Sequence, residues 1–342
     1  MRLLTAASVA LLAAASFATA QAAPRKAAVP DIEGTWSNAT LTTEQRPAKY
    51  GNRLIMTPEE VREVEGANEA EIADGNTTVD PTKITVPKVG GDAPTGFRAN
   101  PKYIGPAGNV GGYDRGWMEN GHFVMRVNGQ PRTSLITTPD GRAPPKRAGA
   151  PAPVRPAGNF NSMDNPEERP ISERCLLSFG RNAGPPMFTN GFYNNNYQII
   201  QGTEAVLINV EMVHDNRIIR LNSKHRTDGI RPWFGDSVGW YEGNSLVVET
   251  TNIPQQMAYY GSWEHLKVTE RFTRVGKDRL LYQFTIEDPD NWDKPWGGEY
   301  EFGRGPGRVM EYACHEGNYA LEGVLAGARQ AEREAARQAA AK

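Results

Sequence analysis

The run HLKVTERFTRVGKDRLLYQFTIED, residues 265–288, decides the fold. In 279–287, Leu280, Tyr282, Phe284 and Ile286 fall on one face, while Arg279, Gln283, Thr285 and Glu287 fall on the other. That period of two is the mark of a strand with one buried side. Leu266, Val268 and Phe272 repeat it in the first half, sharing their face with Glu270 and Arg274, and Gly276 to Asp278 supplies the turn between the halves.

Two neighbouring stretches follow the same logic. EAVLINVEMVHDNRIIRL, 204–221, reads as two strands about a turn at Asp215 and Asn216, and WYEGNSLVVETT, 240–251, as two more about Gly243 and Asn244. A further strand is expected over GRVMEYAC, 307–314. Strand-length segments joined by turns, with no helices between them, define an all-β antiparallel meander rather than a βαβ array. Charged residues on otherwise apolar faces predict a barrel or strongly curved sheet, lipocalin-like or calycin-like. Its lumen would be a ligand cavity with polar groups set among apolar walls.

Composition agrees. Of 342 residues, 39% are hydrophobic and 23% charged, the balance of a chain that buries a core rather than one that stays unfolded. Gly (35) and Pro (25) are in excess, which demands many turns and argues against a helical bundle. With 38 basic against 40 acidic residues, scattered among one another, the chain lacks the basic face that a nucleic-acid partner requires.

Working outward, residues 1–20 read as a secretory signal peptide. Arg2 is the positive n-region, Leu3 to Phe17 an apolar, Ala-rich stretch, and Ala18, Thr19, Ala20 the cleavage site. The run is too short to anchor the chain, and no later segment reaches transmembrane length, so no stable membrane insertion is expected and the protein is placed in the periplasm or secreted. Residues 21–138 form an irregular, short-strand region packed on the main body. It contains a helix start at TPEEVREVEG, 57–66, where Thr57 and Glu60 make a capping box, and a hairpin signal at Asn128 and Gly129. Residues 139–159 are a Pro/Gly-rich linker or loop, 160–318 the β core, and 319–342 a C-terminal helix.

An exported chain with two cysteines, Cys175 and Cys314, is expected to join them in one disulfide, closing a loop of about 140 residues. No nucleotide-binding loop, HExxH or CxxC motif is present, so neither cofactor nor metal is expected. Ser237, within GDSVG, reads as a turn residue rather than a nucleophile. The chemistry-bearing candidates lie on the predicted strands. Glu211 and Glu270 are the candidate bases, His265 and His214 their partners, and Arg274 the cation that steadies developing negative charge. Tyr193, Asn195, Trp233, Asp236 and Tyr260, in loops near strand ends, would supply stacking faces and hydrogen bonds to a small ring-containing molecule. These residues predict a cofactor-independent lyase, isomerase or hydrolase, or a non-catalytic periplasmic binding or envelope protein using the same groups.

The stretches RPISERCLLSFG, FYNNNYQIIQ, VLINVEMVHDNRIIRL, WFGDSVGWYEGNSLVVETTN, LKVTERFTRV and EYACHEGNYALEG together resemble an uncharacterised family of exported bacterial proteins. That family carries GDSxGxWEGxxLVVxTTN-like and EYACHEGNYAL-like motifs. Tyr241 stands here where the family usually has Trp. The resemblance implies export and a shared fold, and brings no catalytic residue with it.

Overall fold

The computed structural model describes residues 29–75, 121–152, 163–178, 181–189 and 193–341. The signal peptide, all but the end of the 21–30 leader, residues 76–120 of the irregular region and residues 153–159 of the linker lie outside the described residues.

The chain makes β1 (Gly34–Ser37), α1 (Pro58–Gly75), β2 (Arg126–Val127), β3 (Gln130–Pro131) and β4 (Asn196–Gln201). There follow β5 (Ala205–Val210), β6 (Asn216–Leu221), β7 (Asp236–Glu242), β8 (Ser245–Thr251), β9 (Lys267–Gly276), β10 (Arg279–Glu287), β11 (Trp296–Arg304) and α2 (Tyr319–Ala340). Nine strands close into a barrel in the order β1-β11-β10-β9-β8-β7-β6-β5-β4, with β4 returning to β1.

The expected meander holds for every neighbouring pair except β6 and β7, which run parallel, Ile219 opposite Ser237. A parallel neighbour needs a long return path, and 222–235 provides it. No strand forms over 307–314. The last strand is instead WGGEYEFGR, 296–304, whose Gly297 and Gly298 hide the alternating pattern. A side chain on Gly298 would run into the Leu135 carbonyl, because residues 135–137 cross β11 there. The barrel also reaches outside the expected 160–318 core. β1 is the seam between β4 and β11, pairing Thr35 with Gln198 and Trp36 with Arg304.

Local signals in the N-terminal region resolve as physical devices. The Thr57 amide donates to Glu60 Oε2 at 2.8 Å and the Glu60 amide to Thr57 Oγ1 at 3.3 Å, which closes the capping box. α1 then runs much further than the 57–66 start signal, and packs Val61 and Val64 on a small core of Tyr50, Met56 and Val124. Asn128 and Gly129 have φ of 51° and 78°, the left-handed pair that a tight hairpin needs. Among the described residues, no helix is long and apolar enough to cross a membrane.

The barrel interior is occupied. Val206, Ile208 and Val210 of β5, Val268 and Phe272 of β9, Leu280, Tyr282 and Phe284 of β10, and Tyr300 and Phe302 of β11 are buried in one core cluster. Ala183, Met187 and Phe188 of the segment 181–189 belong to that cluster. Tyrosine hydroxyls fix the segment: the Met187 amide donates to Tyr282 (2.8 Å), Tyr300 donates to the Met187 carbonyl (3.0 Å), and Tyr197 donates to the Phe188 carbonyl (3.3 Å). Among the described residues, packed chain occupies the lumen where a ligand cavity is expected.

At its centre, the Arg217 guanidinium meets both carboxylate oxygens of Glu270. Arg217 also donates to Ser237 Oγ (3.0 Å), Thr250 Oγ1 (2.8 Å) and the Ala183 carbonyl (3.1 Å), and Tyr282 donates to Glu270 (2.8 Å). Removing one member of such a buried pair strands the other charge, at a cost of about 3–5 kcal/mol, whereas replacing both with apolar groups is close to neutral. Glu270→Gln is therefore expected to lower unfolding free energy by about 3 kcal/mol or more, and Arg217→Met with Glu270→Leu to restore most of it, in denaturant titrations. Equal destabilisation by the single and double variants would show that the pair's charges are not what the core depends on.

Candidate functional site

The chain leaves β5 through a turn that conventional sequence reading takes for an ordinary hairpin. Residues 212–214 form a short 3-10 turn in which Val213 (φ 58°, ψ 13°) and His214 (φ 52°) both adopt left-handed backbone. A β-branched residue there is costly, about 1–3 kcal/mol, and such strain persists only where the surroundings hold it. Here the Val210 amide donates to the Asp215 carbonyl (2.8 Å), the Glu211 amide to Asn196 O (3.0 Å), and Asn182 Nδ2 to Met212 O (3.4 Å). The turn throws Glu211 to one side, into a cleft of about 700 Å³, and Val213, His214 and Asp215 to the other, into a cleft of about 570 Å³.

The second cleft sits where β6 and β7 begin their parallel run, and is walled by Leu176, Asn216, Ile218, Arg220, Trp233 and Asp236 among others. Trp233 is 42% exposed and Ile218 62%, so its lip is apolar and open. Asp215 is buried within it. The Ser178 amide donates to Asp215 Oδ2 at 3.3 Å. Burial pushes this carboxyl up to about 6, against the opposing pull of the Ser178 amide and the Asn182 side chain. His214 accepts from the Tyr312 amide at Nε2 (3.3 Å), so in the neutral ring the proton is assigned to Nδ1.

Beside the cleft, Asp236 gathers the return loop. It accepts from Arg220 (2.8 Å) and from the Arg226 amide (2.7 Å), and lies 3.0 Å from His225 Nδ1. Burial works to raise the Asp236 carboxyl, but the Arg226 amide, His225 and Arg220 together hold it below its ordinary value. The other ring nitrogen of His225 lies 3.2 Å from Glu249 on β8. Both nitrogens are thus committed to carboxylates. No group of three or more His, Cys, Asp or Glu is placed to hold a metal ion among the described residues.

The sequence-derived candidates divide between separate places. Glu270 is fully buried in the lumen with Arg217, beyond reach of a substrate. His265 is 61% exposed and pairs with Asp290 at 2.5 Å, a hydrogen bond that raises its pKa. Arg274 pairs with Asp31 (2.9 Å) and lies over the Trp36 ring. The convergence of Glu211, Glu270, His265, His214 and Arg274 into one group is not what forms, since each has its own set of partners. Among the binding candidates, Trp233 and Asp236 line the Asp215 cleft and Tyr193 lines the Glu211 cleft. Asn195 is fully buried, accepting from Thr189 (2.9 Å). Tyr260 donates to Glu44 (2.8 Å), and its hydroxyl pKa is raised, first by burial and then by that carboxylate. The cysteines are joined as expected, Cys175 to Cys314, with an S–S distance of 2.06 Å.

Asp215 is the residue that sequence reading passes over. Asp followed by Asn looks like turn chemistry and nothing more, and its burial comes from Ser178 and Asn182, far away in the chain. No protein-family model, curated protein or solved structure matches the chain.

The Asp215 carboxyl has a sign that can be checked. Its folded value lies above its ordinary 3.8, so its contribution to stability is fully present below that value and is lost as pH rises through about 6. Asp215→Asn is expected to stabilise the fold by about 2 kcal/mol more at pH 8 than at pH 4.5, in denaturant titrations at the two pH values. A variant effect that does not change with pH would remove the perturbed carboxyl from the account.

Proposed function

We propose that the protein is an exported, cofactor-independent enzyme acting on a small ring-containing molecule held in the Asp215 cleft. The observation that carries this reading is that a buried carboxyl and an exposed indole line one cleft, with His214 in the same lining. Trp233 offers a flat face for a ring, and Leu176 and Ile218 extend the apolar contact. An acid whose pKa lies near working pH both accepts and returns a proton readily, and Asp215, raised to about 6, meets that condition. Asp215 takes the proton as carboxylate and gives it back as acid, at the substrate atom seated against it. Arg220 at the cleft wall supports negative charge that develops there. A lyase, isomerase or hydrolase step is compatible with that proton traffic.

Export is supported by the leader sequence and by a disulfide, which persists in oxidising compartments. It agrees with the family resemblance, which we extend to this chain as part of the same proposal. Intact-mass measurement of the protein from the periplasm is expected to give a chain starting at Gln21 with no free thiol; a full-length, reduced chain in the cytoplasm would sink it.

A second reading, a non-catalytic binding protein, is favoured by one observation: the Asp215 carboxylate already receives the Ser178 amide. The two are separated by one experiment. Native mass spectrometry of periplasmic protein identifies the bound molecule, whose binding is followed by fluorescence and whose turnover is followed by NMR. Trp233→Ala is expected to weaken binding about tenfold. Asp215→Asn is expected to keep binding and lose turnover, which in the parent protein follows a profile with an inflection near pH 6. Binding without turnover by the parent protein at any pH would overturn the enzyme in favour of the carrier.

A further inference from the structure

The cleft on the other side of the strained turn is chemically unlike the first. Its walls are Ser172, Glu173 and Cys175, then Tyr193 and Asn194, then Glu211, and finally the 310–318 segment, sewn to the first wall by the Cys175–Cys314 bridge. The bridge fixes two otherwise irregular stretches, so the space of about 700 Å³ between them is a built feature and not a gap between loose loops.

Glu211 is its centre. The side chain is 3% exposed, and its carboxylate accepts from Asn194 Nδ2 (2.6 Å), Asn196 Nδ2 (3.4 Å) and the Met310 amide (3.0 Å). All three donors are neutral. Among the described residues no Lys, Arg or His pairs with it. Contrast Glu173 in the same wall, whose charge is met by Arg169 at 2.8 Å. Hydrogen bonds from amides orient a carboxylate, but they do not cancel its charge, and a buried charge without a counter-charge is costly.

The second observation is aromatic. Tyr193 and Tyr312 lie nearly parallel, 16° apart with ring centroids at 6.4 Å, and both line the cleft. Aromatic faces attract cations through the ring quadrupole, by about 0.5–2 kcal/mol depending on desolvation. The rim carries a further carboxylate, Glu311, and no cationic side chain lines the walls among the described residues. Anions are therefore disfavoured, and a neutral donor gains a hydrogen bond from Glu211 but not the ionic attraction that a cation adds.

We propose that this cleft is a binding site for a small organic ammonium ion, with Glu211 as its counter-charge and Tyr193 and Tyr312 as its aromatic wall. The cleft's volume suits a ring-bearing amine better than a bare metal ion, which would need several more oxygen ligands than Glu211 supplies. The site stands independently of the Asp215 cleft, which lies across the turn and is lined by different residues apart from the turn itself.

Benzylammonium chloride is the test ligand, titrated calorimetrically into the disulfide-intact mature chain at pH 7, with benzyl alcohol and sodium benzoate at matched ionic strength. Saturable one-to-one binding of benzylammonium is expected, with benzyl alcohol at least tenfold weaker and benzoate weaker still. Glu211→Gln is expected to reduce benzylammonium affinity tenfold or more, while Trp233→Ala and Asp215→Asn leave it unchanged. The proposal is overturned if benzylammonium does not bind, if benzyl alcohol or benzoate binds as well, or if affinity is lost in Trp233→Ala and kept in Glu211→Gln. Should Glu211→Gln fail to fold, as circular dichroism would reveal, Tyr312→Ala on the outer wall takes its place. It is expected to weaken benzylammonium at least threefold, and an unchanged affinity in that variant overturns the site equally.

Discussion

A guanidinium and a carboxylate meeting in the middle of a barrel determine what the rest of this molecule can be. Arg217 on β6 and Glu270 on β9 are both buried, and between them they reach Ser237 on β7, Thr250 on β8, Tyr282 on β10 and the Ala183 carbonyl. Five consecutive strands of the wall and the segment inside it are thus bound into one polar network. Half-satisfied networks of this kind are unfavourable in an apolar interior, so every partner must be present together. That requirement draws 181–189 into the lumen and makes the barrel a support, with its clefts at the margin.

The single parallel pairing explains where the Asp215 cleft lies. Antiparallel neighbours are joined at one end and leave little space between them, but β7 enters beside the middle of β6, Ser237 opposite Ile219, and its connection must double back along that strand. That path, 222–235, is tied back by His225 between Asp236 and Glu249 and by Arg220 on Asp236, and it delivers Trp233 to the cleft that Asp215 lines. The 211–215 turn forms the facing wall. Because the same strained turn separates two clefts, a change in its backbone would be felt in both.

Much of the barrel is legible in the sequence because a strand with one buried face writes its orientation into every second residue. The alternation in 279–287 is reproduced by the burial of Leu280, Tyr282, Phe284 and Ile286. Glu270, sharing a face with Val268 and Phe272, does point inward with them. What the pattern does not carry is partnership. Nothing local to Glu270 names Arg217 as its mate, or turns a predicted catalytic base into half of an ion pair. β11 is obscured for a related reason, since its glycines answer to the crossing of 135–137 and not to the strand they occupy. Asp215 is obscured because depth is a property of what packs on top of a turn, and here that covering comes from the 176–182 region. Glu211 and Tyr193 line one cleft and Trp233 and Asp236 the other, a division that depends on the left-handed backbone at Val213 and His214 and that no local sequence pattern announces.

β1 has four residues, yet it lies between β4 and the final strand of the barrel. Its Trp36 sits opposite Arg304, so the ring cannot be completed until the ribosome has passed residue 304, however early β1 itself is made. Contacts so distant in sequence are slow to find, and until they form both edges of the sheet present unpaired amides and carbonyls. Until that pairing is made the barrel is an open sheet with two exposed borders, and the chain's vulnerability to association with other chains is concentrated in that interval.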